Sequence, residues 1–221
     1  MTQSRKNTSK YNVKKEQKIK LQDFYNTYAC CNDDKLKSKM DMEINKLLNF
    51  MYQNINSSND VINLWVDGSY NPKTNKSGIG IVIISDPTKP INADKNICFG
   101  KTVNAQSSLK AEIYALSIGL SYILDTYPDA KNLHVYYDCA QSTVCAANID
   151  AFTHMGSPYT NFRSALRRLR KRNINVAFQH TKAHVGTKNN EVCDLIAKHY
   201  ADIPISDDKK KKVKKIIRED M

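Results

Sequence analysis

The sequence contains no apolar run near the roughly 18 residues that a membrane-spanning helix needs. Its Lys-rich N-terminus also lacks the apolar stretch of a signal peptide. The cysteines form no C-x-x-C pair and no paired spacing with histidine, which argues against a zinc site and a disulfide framework; they are Cys30, Cys31, Cys98, Cys139, Cys145 and Cys193. These absences predict an intracellular, soluble protein with reduced thiols and no membrane contact.

Glycine is scarce and unevenly distributed. All seven glycines lie between residues 68 and 186. We expect them at turns between packed elements, where the backbone needs their freedom. The compact domain is therefore placed at residues 61–203, between an N-terminal extension and a C-terminal tail at 204–221.

Positive charge is abundant, because 34 Lys and Arg residues outnumber 22 Asp and Glu residues and give a formal net charge of +12 over 221 residues. Such an excess indicates a polyanionic partner, and nucleic acid is the commonest one inside cells. Charge alone does not separate an enzyme from a coating protein.

The N-terminal extension has two parts. Residues 1–34 are mostly polar and Lys-rich, and we expect them to be largely disordered. Residues 35–60 carry apolar side chains at spacings of four and three, which predicts an amphipathic helix; its apolar stripe is Leu36, Met40, Ile44, Leu47, Met51 and Ile55. This helix either packs on the chain's own domain or binds a protein partner.

The C-terminal tail contains a Lys-rich run at residues 209–215. By composition it is a solvated basic segment. It also resembles a nuclear localisation signal, and it could hold nucleic-acid phosphates. Cytoplasmic and nuclear locations both stay open.

Apolar runs and helical spacing predict the order of the elements in the domain. Three strands come first, the first two as a hairpin, and helices then alternate with strands, which predicts a mixed sheet covered by helices. The predicted strands are 61–67, 78–85, 96–103, 133–137 and 174–179, and the predicted helices are 107–127, 141–149, 159–172 and 190–201.

Four carboxylates stand where surface charges are not expected. Asp67 and Asp138 directly follow apolar strands, and if those strands are parallel both residues emerge at one edge of the sheet, where α/β proteins bind ligands. Glu112 lies within the apolar stripe of its helix, and Asp194 is placed similarly. Each residue alone fits a turn, a cap or a helix edge, but burying all four together requires cations, and oxygen ligands suit Mg²⁺ or Mn²⁺.

Several segments resemble the type 1 ribonucleases H. They are Val66–Ser69, Ala111–Leu116, Val135–Asp138 and His180–Gly186, followed by Asn190–Ala197. The resemblance covers about residues 61–203 and implies a five-stranded mixed sheet flanked by helices. It also implies that the protein is an endonuclease that cleaves the RNA strand of RNA–DNA hybrids with two Mg²⁺ ions, for which Mn²⁺ can substitute, and leaves 5′-phosphates. We expect the protein to be a monomer.

The same resemblance implies roles for the acidic residues and one histidine. Asp67 would bridge both ions, Asp194 would help hold the ion that activates water, and Glu112 with Asp138 would hold the other ion. His184 would act in proton movement or product release.

Residues that would contact the substrate follow from the resemblance in the same way. Asn190 would contact the scissile region, and the backbone at Gly68 and Ser69 would approach the RNA sugar edge, where 2′-hydroxyls distinguish RNA from DNA. Arg167 and Arg168 either supply phosphate contacts or form a solvated helix face.

The sequence departs from the family pattern at Ala183, where glycine is usual, and in the run Cys139–Gln141 after Asp138. Two other functions therefore stay open. One is another nuclease of the same fold, such as a resolvase or an integrase-like protein. The other is a catalytically silent module that binds hybrids.

Overall fold

The computed structural model describes residues 61–89, 91, 96–139, 156–181 and 188–211. Its elements follow one another as β1 (Val61–Asn71), β2 (Lys76–Ile84), β3 (Ile97–Val103), α1 (Ser108–Thr126), β4 (Asn132–Tyr137), α2 (Ser157–Lys171), β5 (Asn175–His180) and α3 (Lys188–Tyr200). The predictions for residues 1–60, the helix at 141–149, His184 and residues 212–221 lie outside the described residues.

The five strands form one mixed sheet in the order β3-β2-β1-β4-β5. The first three strands pair antiparallel, whereas β1 pairs parallel with β4 and β4 pairs parallel with β5. The mixed sheet with flanking helices and the hairpin of β1 with β2 are therefore confirmed.

The sheet carries a different core on each face. One core joins the sheet to α1 and α2 and includes Leu64, Val66, Leu116 and Phe162. The other joins it to α3 and includes Val82 and Ile196. Because side chains alternate along a strand and β2 is buried from Ser77 to Ile84, both of its faces are covered, which explains its nearly unbroken apolar run.

Local signals account for the helix boundaries. Ser107 caps α1, since its side chain accepts a hydrogen bond from the backbone N–H of Lys110, and Pro128 lies just beyond the last turn. In α2 a proline follows Gly156 in the first turn. No helix in the described part of the chain is long and apolar enough to cross a membrane.

The prediction that the glycines occupy turns is wrong for most of them. Gly68, Gly78, Gly80 and Gly100 lie inside strands, and Gly119 lies inside α1. A Cβ built on Gly80 would lie 2.1 Å from the backbone oxygen of Cys193, so α3 can approach the sheet only where this side chain is missing. Among the described residues, positive φ angles occur instead at Gly156 and at four residues of other types, which are Asn75, Gln106, Asn173 and Asp202.

The prediction that Asp67 follows the end of its strand is also wrong. β1 continues to Asn71 because its antiparallel pairing with β2 extends that far, and Asp67 is paired with Gly80. The parallel pairing with β4 ends at Trp65 and Tyr136. Asp67 therefore lies in the middle of the pairing between β1 and β2, but it comes after the last residue of β1 that pairs with β4. It still lies at the carboxyl edge of the parallel pair.

Candidate active site

Three acidic residues from separate elements meet at this edge of the sheet. Asp67 comes from β1, Glu112 from the second turn of α1, and Asp138 directly follows β4. Each offers a carboxylate oxygen, and these oxygens lie within 4.8 Å of one another. Asp67 and Glu112 are only 5% and 4% exposed, so two of the three carboxylates are buried, and Asp138 is partly buried.

Gly68 allows Glu112 to approach Asp67. A Cβ on Gly68 would lie 2.3 Å from the backbone carbon of Ala111 and 2.3 Å from the nitrogen of Glu112, so α1 packs directly against the β1 backbone here. The N–H of Gly68 donates a hydrogen bond of 2.8 Å to Oδ1 of Asp67. Gly68 and Ser69 are both buried, and their contact with an RNA sugar stays a prediction.

Two of these carboxyl groups, Asp67 and Glu112, resist ionisation when no cation is present. The pKa of Asp67 is raised from its ordinary 3.8 to about 6, chiefly by burial and also by the negative charges of Asp138 and Asp194, whereas a hydrogen bond from Glu112 opposes the shift. Burial, followed by the charge of Asp67, raises the pKa of Glu112 well above its usual range. A shared cation would remove the cost of holding these charges together.

The donor set fits a divalent cation. Oε2 of Glu112 is buried and has no hydrogen-bond partner among the described residues, although a buried carboxylate oxygen normally has one. Clustered carboxylate oxygens are the ligands that Mg²⁺ and Mn²⁺ prefer. Asp67, Glu112 and Asp138 can therefore hold such an ion.

Asp194 stands apart from these three. In the described part of the chain it is not a member of the cluster, although its charge reaches Asp67. Nζ of Lys198, one helical turn later in α3, lies 2.7 Å from Oδ1 and 2.8 Å from Oδ2 of Asp194. Because the lysine already supplies a positive charge, metal ligation by Asp194 stays a prediction.

Asn190 of α3 is hydrogen-bonded to one member of the cluster. Its Nδ2 donates a hydrogen bond of 3.2 Å to Oδ2 of Asp138. Its Oδ1 is buried and has no hydrogen-bond partner among the described residues. Asn190 therefore lies beside the acidic residues, as the sequence leads us to expect, and its contact with the scissile region stays a prediction.

Two residues that the sequence analysis does not single out hold the end of β5 against Asp138. Nε2 of His180 donates to the backbone oxygen of Asp138 at 3.0 Å. The backbone N–H of Thr181 donates to the oxygen of Tyr137 at 2.7 Å. Both residues fall within a segment that carries the family resemblance, but only the structure reveals these contacts.

Arg167 and Arg168 of α2 form no hydrogen bond with the acidic cluster among the described residues. Arg167 and Arg168 are exposed, and Nη2 of Arg168 lies 3.5 Å from Oδ1 of Asp125 at the end of α1. The opposite side of α2 is buried. A phosphate contact by either arginine stays a prediction, and so does the role of the Lys-rich run, of which residues 209–211 are described and exposed.

Without divalent cations, the unfolding free energy of the wild-type protein is expected to fall, relative to that of Asp67→Asn, as the pH rises from about 4 to about 8. The folded state keeps a proton on Asp67 up to about pH 6, whereas the unfolded chain releases it near 3.8. The change should be on the order of 2–3 kcal/mol. Urea unfolding in EDTA across this range measures it.

The matched control is Asp129→Asn, which neutralises an exposed carboxylate in the loop between α1 and β4. Its difference from the wild type should stay nearly constant with pH. Equal pH profiles for the wild type and Asp67→Asn would contradict a raised pKa at Asp67.

Comparison with known proteins gives three findings. A family model described as RNase H matches residues 59–202. No curated protein matches the chain. Among solved structures, the chain is similar to RNase H1 from the halophilic archaeon Halobacterium salinarum, with 17% identity, a TM-score of 0.45 and coverage of 65% of this chain and 99% of the other. It is also similar to the N-terminal RNase H domain of a Mycobacterium tuberculosis protein, with 14% identity, a TM-score of 0.47 and coverage of 64% and 94%.

Proposed function

Since the chain belongs to the RNase H family, we propose that it is an endonuclease that hydrolyses the RNA strand of RNA–DNA hybrids with divalent cations. The observation that carries this proposal is the meeting of Asp67, Glu112 and Asp138 at the carboxyl edge of the parallel strands. A protein that only binds hybrids has no need of three clustered carboxylates, because they repel phosphates.

The clustered carboxylate oxygens support the part of the proposal that concerns divalent cations. Asp67, Glu112 and Asp138 would hold one Mg²⁺, and Asp194 would contribute to a second when Lys198 releases it. Bound Mg²⁺ supplies Lewis acidity, which lowers the pKa of water and neutralises charge that develops on the phosphate. Two ions, with Mn²⁺ as a substitute, remain our expectation for this site.

The chain's own residues supply position and recognition. Asn190 fixes the Asp138 carboxylate through its Nδ2. Its Oδ1 is a buried acceptor that can take a hydrogen bond from a 2′-hydroxyl of the RNA strand, which DNA cannot offer. His184, which lies outside the described residues, would assist proton transfer or product release, as the family resemblance implies.

The test is incubation of the protein with an end-labelled RNA–DNA hybrid, duplex DNA and duplex RNA, each with Mg²⁺ or with EDTA. We expect internal cleavage of the hybrid's RNA strand only in Mg²⁺, with 5′-phosphates on the products. The DNA strand and both uniform duplexes should stay intact. Asp67→Asn, purified in the same way, controls for contaminating nucleases.

Two results would contradict the proposal. Tight binding of the hybrid without cleavage under any cation would indicate a silent hybrid-binding module. Cleavage of duplex DNA in preference to the hybrid would indicate another nuclease of the same fold.

A further inference from the structure

An aromatic pair lies directly beside the candidate active site. Trp65 of β1 and Tyr136 of β4 are partners in the parallel ladder, and their rings stack with centroids 4.5 Å apart and planes within 6° of parallel. Asp67 comes two residues after Trp65, and Asp138 comes two residues after Tyr136, so each carboxylate lies about 6–7 Å further along its segment. The carboxylates and the stack therefore occupy successive positions of one face.

This pair is the last one that joins β1 to β4. The register of the two strands ends at Trp65 and Tyr136. Beyond it the carboxylates of Asp67 and Asp138 each offer an oxygen within 4.8 Å of the other, and like charges at this distance repel. Repulsion at the unpaired end of a ladder tends to spread the strands, and the stack is the contact placed to resist it.

Both rings are held by further contacts. The hydroxyl of Tyr136 donates a hydrogen bond of 3.2 Å to Oδ1 of Asn63 in β1. Trp65 packs against the core that contains Val192 and Leu195 of α3, the helix that carries Asn190. Trp65 thus links β1 to β4 through the stack and to the core that includes α3.

We propose that the Trp65–Tyr136 stack is a positioning element that fixes the separation of Asp67 and Asp138 and thereby sets the affinity of the site for divalent cations. The inference rests on the proposed function in taking these carboxylates as cation ligands. Neither ring touches the cation or the substrate in this role. The stack acts only through the two carboxylates that follow it.

The test measures cation affinity without nucleic acid, as the Mg²⁺ concentration that gives half of the maximal rise in melting temperature. Trp65→Leu and Tyr136→Leu remove the stack but keep an apolar side chain, and each should raise this concentration about tenfold. Trp65→Phe restores an aromatic ring and should stay within about threefold of the wild type.

The matched control is Phe99→Leu. Phe99 of β3 and Tyr122 of α1 form another aromatic pair, with ring centroids 4.9 Å apart. Neither residue is followed two positions later by an acidic residue of the cluster. Phe99→Leu should lower the melting temperature while leaving the Mg²⁺ dependence unchanged. If Trp65→Leu behaves in the same way, the stack is only structural and the proposal is wrong.

A second measurement needs no substitution in the stack. Trp65 is the only tryptophan of the chain, so tryptophan fluorescence can be assigned to this member of the stack. Titration with Mg²⁺ should change its emission in the wild type and in Asp129→Asn but not in Asp67→Asn. Unchanged emission in the wild type at Mg²⁺ concentrations that raise the melting temperature would overturn the proposal.

These outcomes are independent of the cleavage assay. If the Leu variants bind Mg²⁺ more weakly but the wild type cleaves no hybrid, the positioning role stands and the proposed function fails. If the wild type cleaves the hybrid and the Leu variants bind Mg²⁺ normally, the proposed function stands and the positioning role fails.

Discussion

Asp67→Asn is expected to reduce cleavage of an RNA–DNA hybrid by at least about a thousandfold while the protein stays folded. Asparagine has nearly the same shape as aspartate, and its Oδ1 can still accept the hydrogen bond from the Gly68 N–H. What is lost is the charge at the centre of the cluster. A divalent cation held by Glu112 and Asp138 alone would bind weakly and out of position.

Stability and binding measurements separate this loss from misfolding. Because Asp67 is buried and its pKa is raised, the Asn variant should be more stable than the wild type in EDTA at neutral pH. Its affinity for the hybrid should change only a few-fold, since Lys and Arg contacts with phosphates dominate such binding. Single-turnover cleavage in Mg²⁺ is the measurement.

The exposed control Asp129→Asn should cleave at the wild-type rate. Glu112→Gln tests the same cluster from α1, and it should also lose most of the activity because it removes a second buried charge. An Asp67→Asn rate within about tenfold of the wild type would contradict the central role of this carboxylate.

The order and type of the elements could be predicted because each carries a local signal. Continuous apolar runs mark β1 and β2, helical spacing marks α1 and α2, and Ser107 and Pro128 mark the two ends of α1. Ends of strands were less predictable. The apolar run of β1 stops at Asp67, yet the strand continues to Asn71 because β2 supplies pairing partners that lie elsewhere in the sequence.

The meeting of Asp67, Glu112 and Asp138 could also be anticipated, since strand ends and a helix stripe place them at one edge. The hydrogen-bond partners of these residues could not be anticipated from the sequence. The bond from Asn190 to Asp138 joins positions 52 residues apart, and that of His180 joins positions 42 apart. The spacing of four between Asp194 and Lys198 is compatible with an ion pair on one helix face, but sequence alone does not tell whether Asp194 meets a metal or a lysine.

The prediction that the glycines occupy turns is wrong for a physical reason. A glycine in a turn and a glycine beneath a helix look alike in a sequence, because both reflect a missing Cβ. Only the packing distinguishes them. At Gly68 the missing atom makes room for the backbone of α1 and so for Glu112. The packing of the fold and the assembly of the acidic cluster therefore depend on the same position.

Gly68→Ala is expected to lower the unfolding free energy by about 3 kcal/mol, at the upper end of what overpacking costs. The added methyl would lie 2.3 Å from two backbone atoms of α1, and backbone cannot turn aside as a side chain can. The helix must therefore shift, and Glu112 moves with it. Urea unfolding in EDTA measures the loss without any contribution from cation binding.

Gly119→Ala is the matched control, because it adds the same methyl to the same interface from the other side. Its nearest neighbours are methyl groups of Leu64 and Val66 at 3.1–3.3 Å, which can adjust. Alanine also favours the interior of a helix by up to about 1 kcal/mol, so the net change should be within about 1 kcal/mol of zero. Similar losses for the two variants would mean that close contact at Gly68 does not position α1.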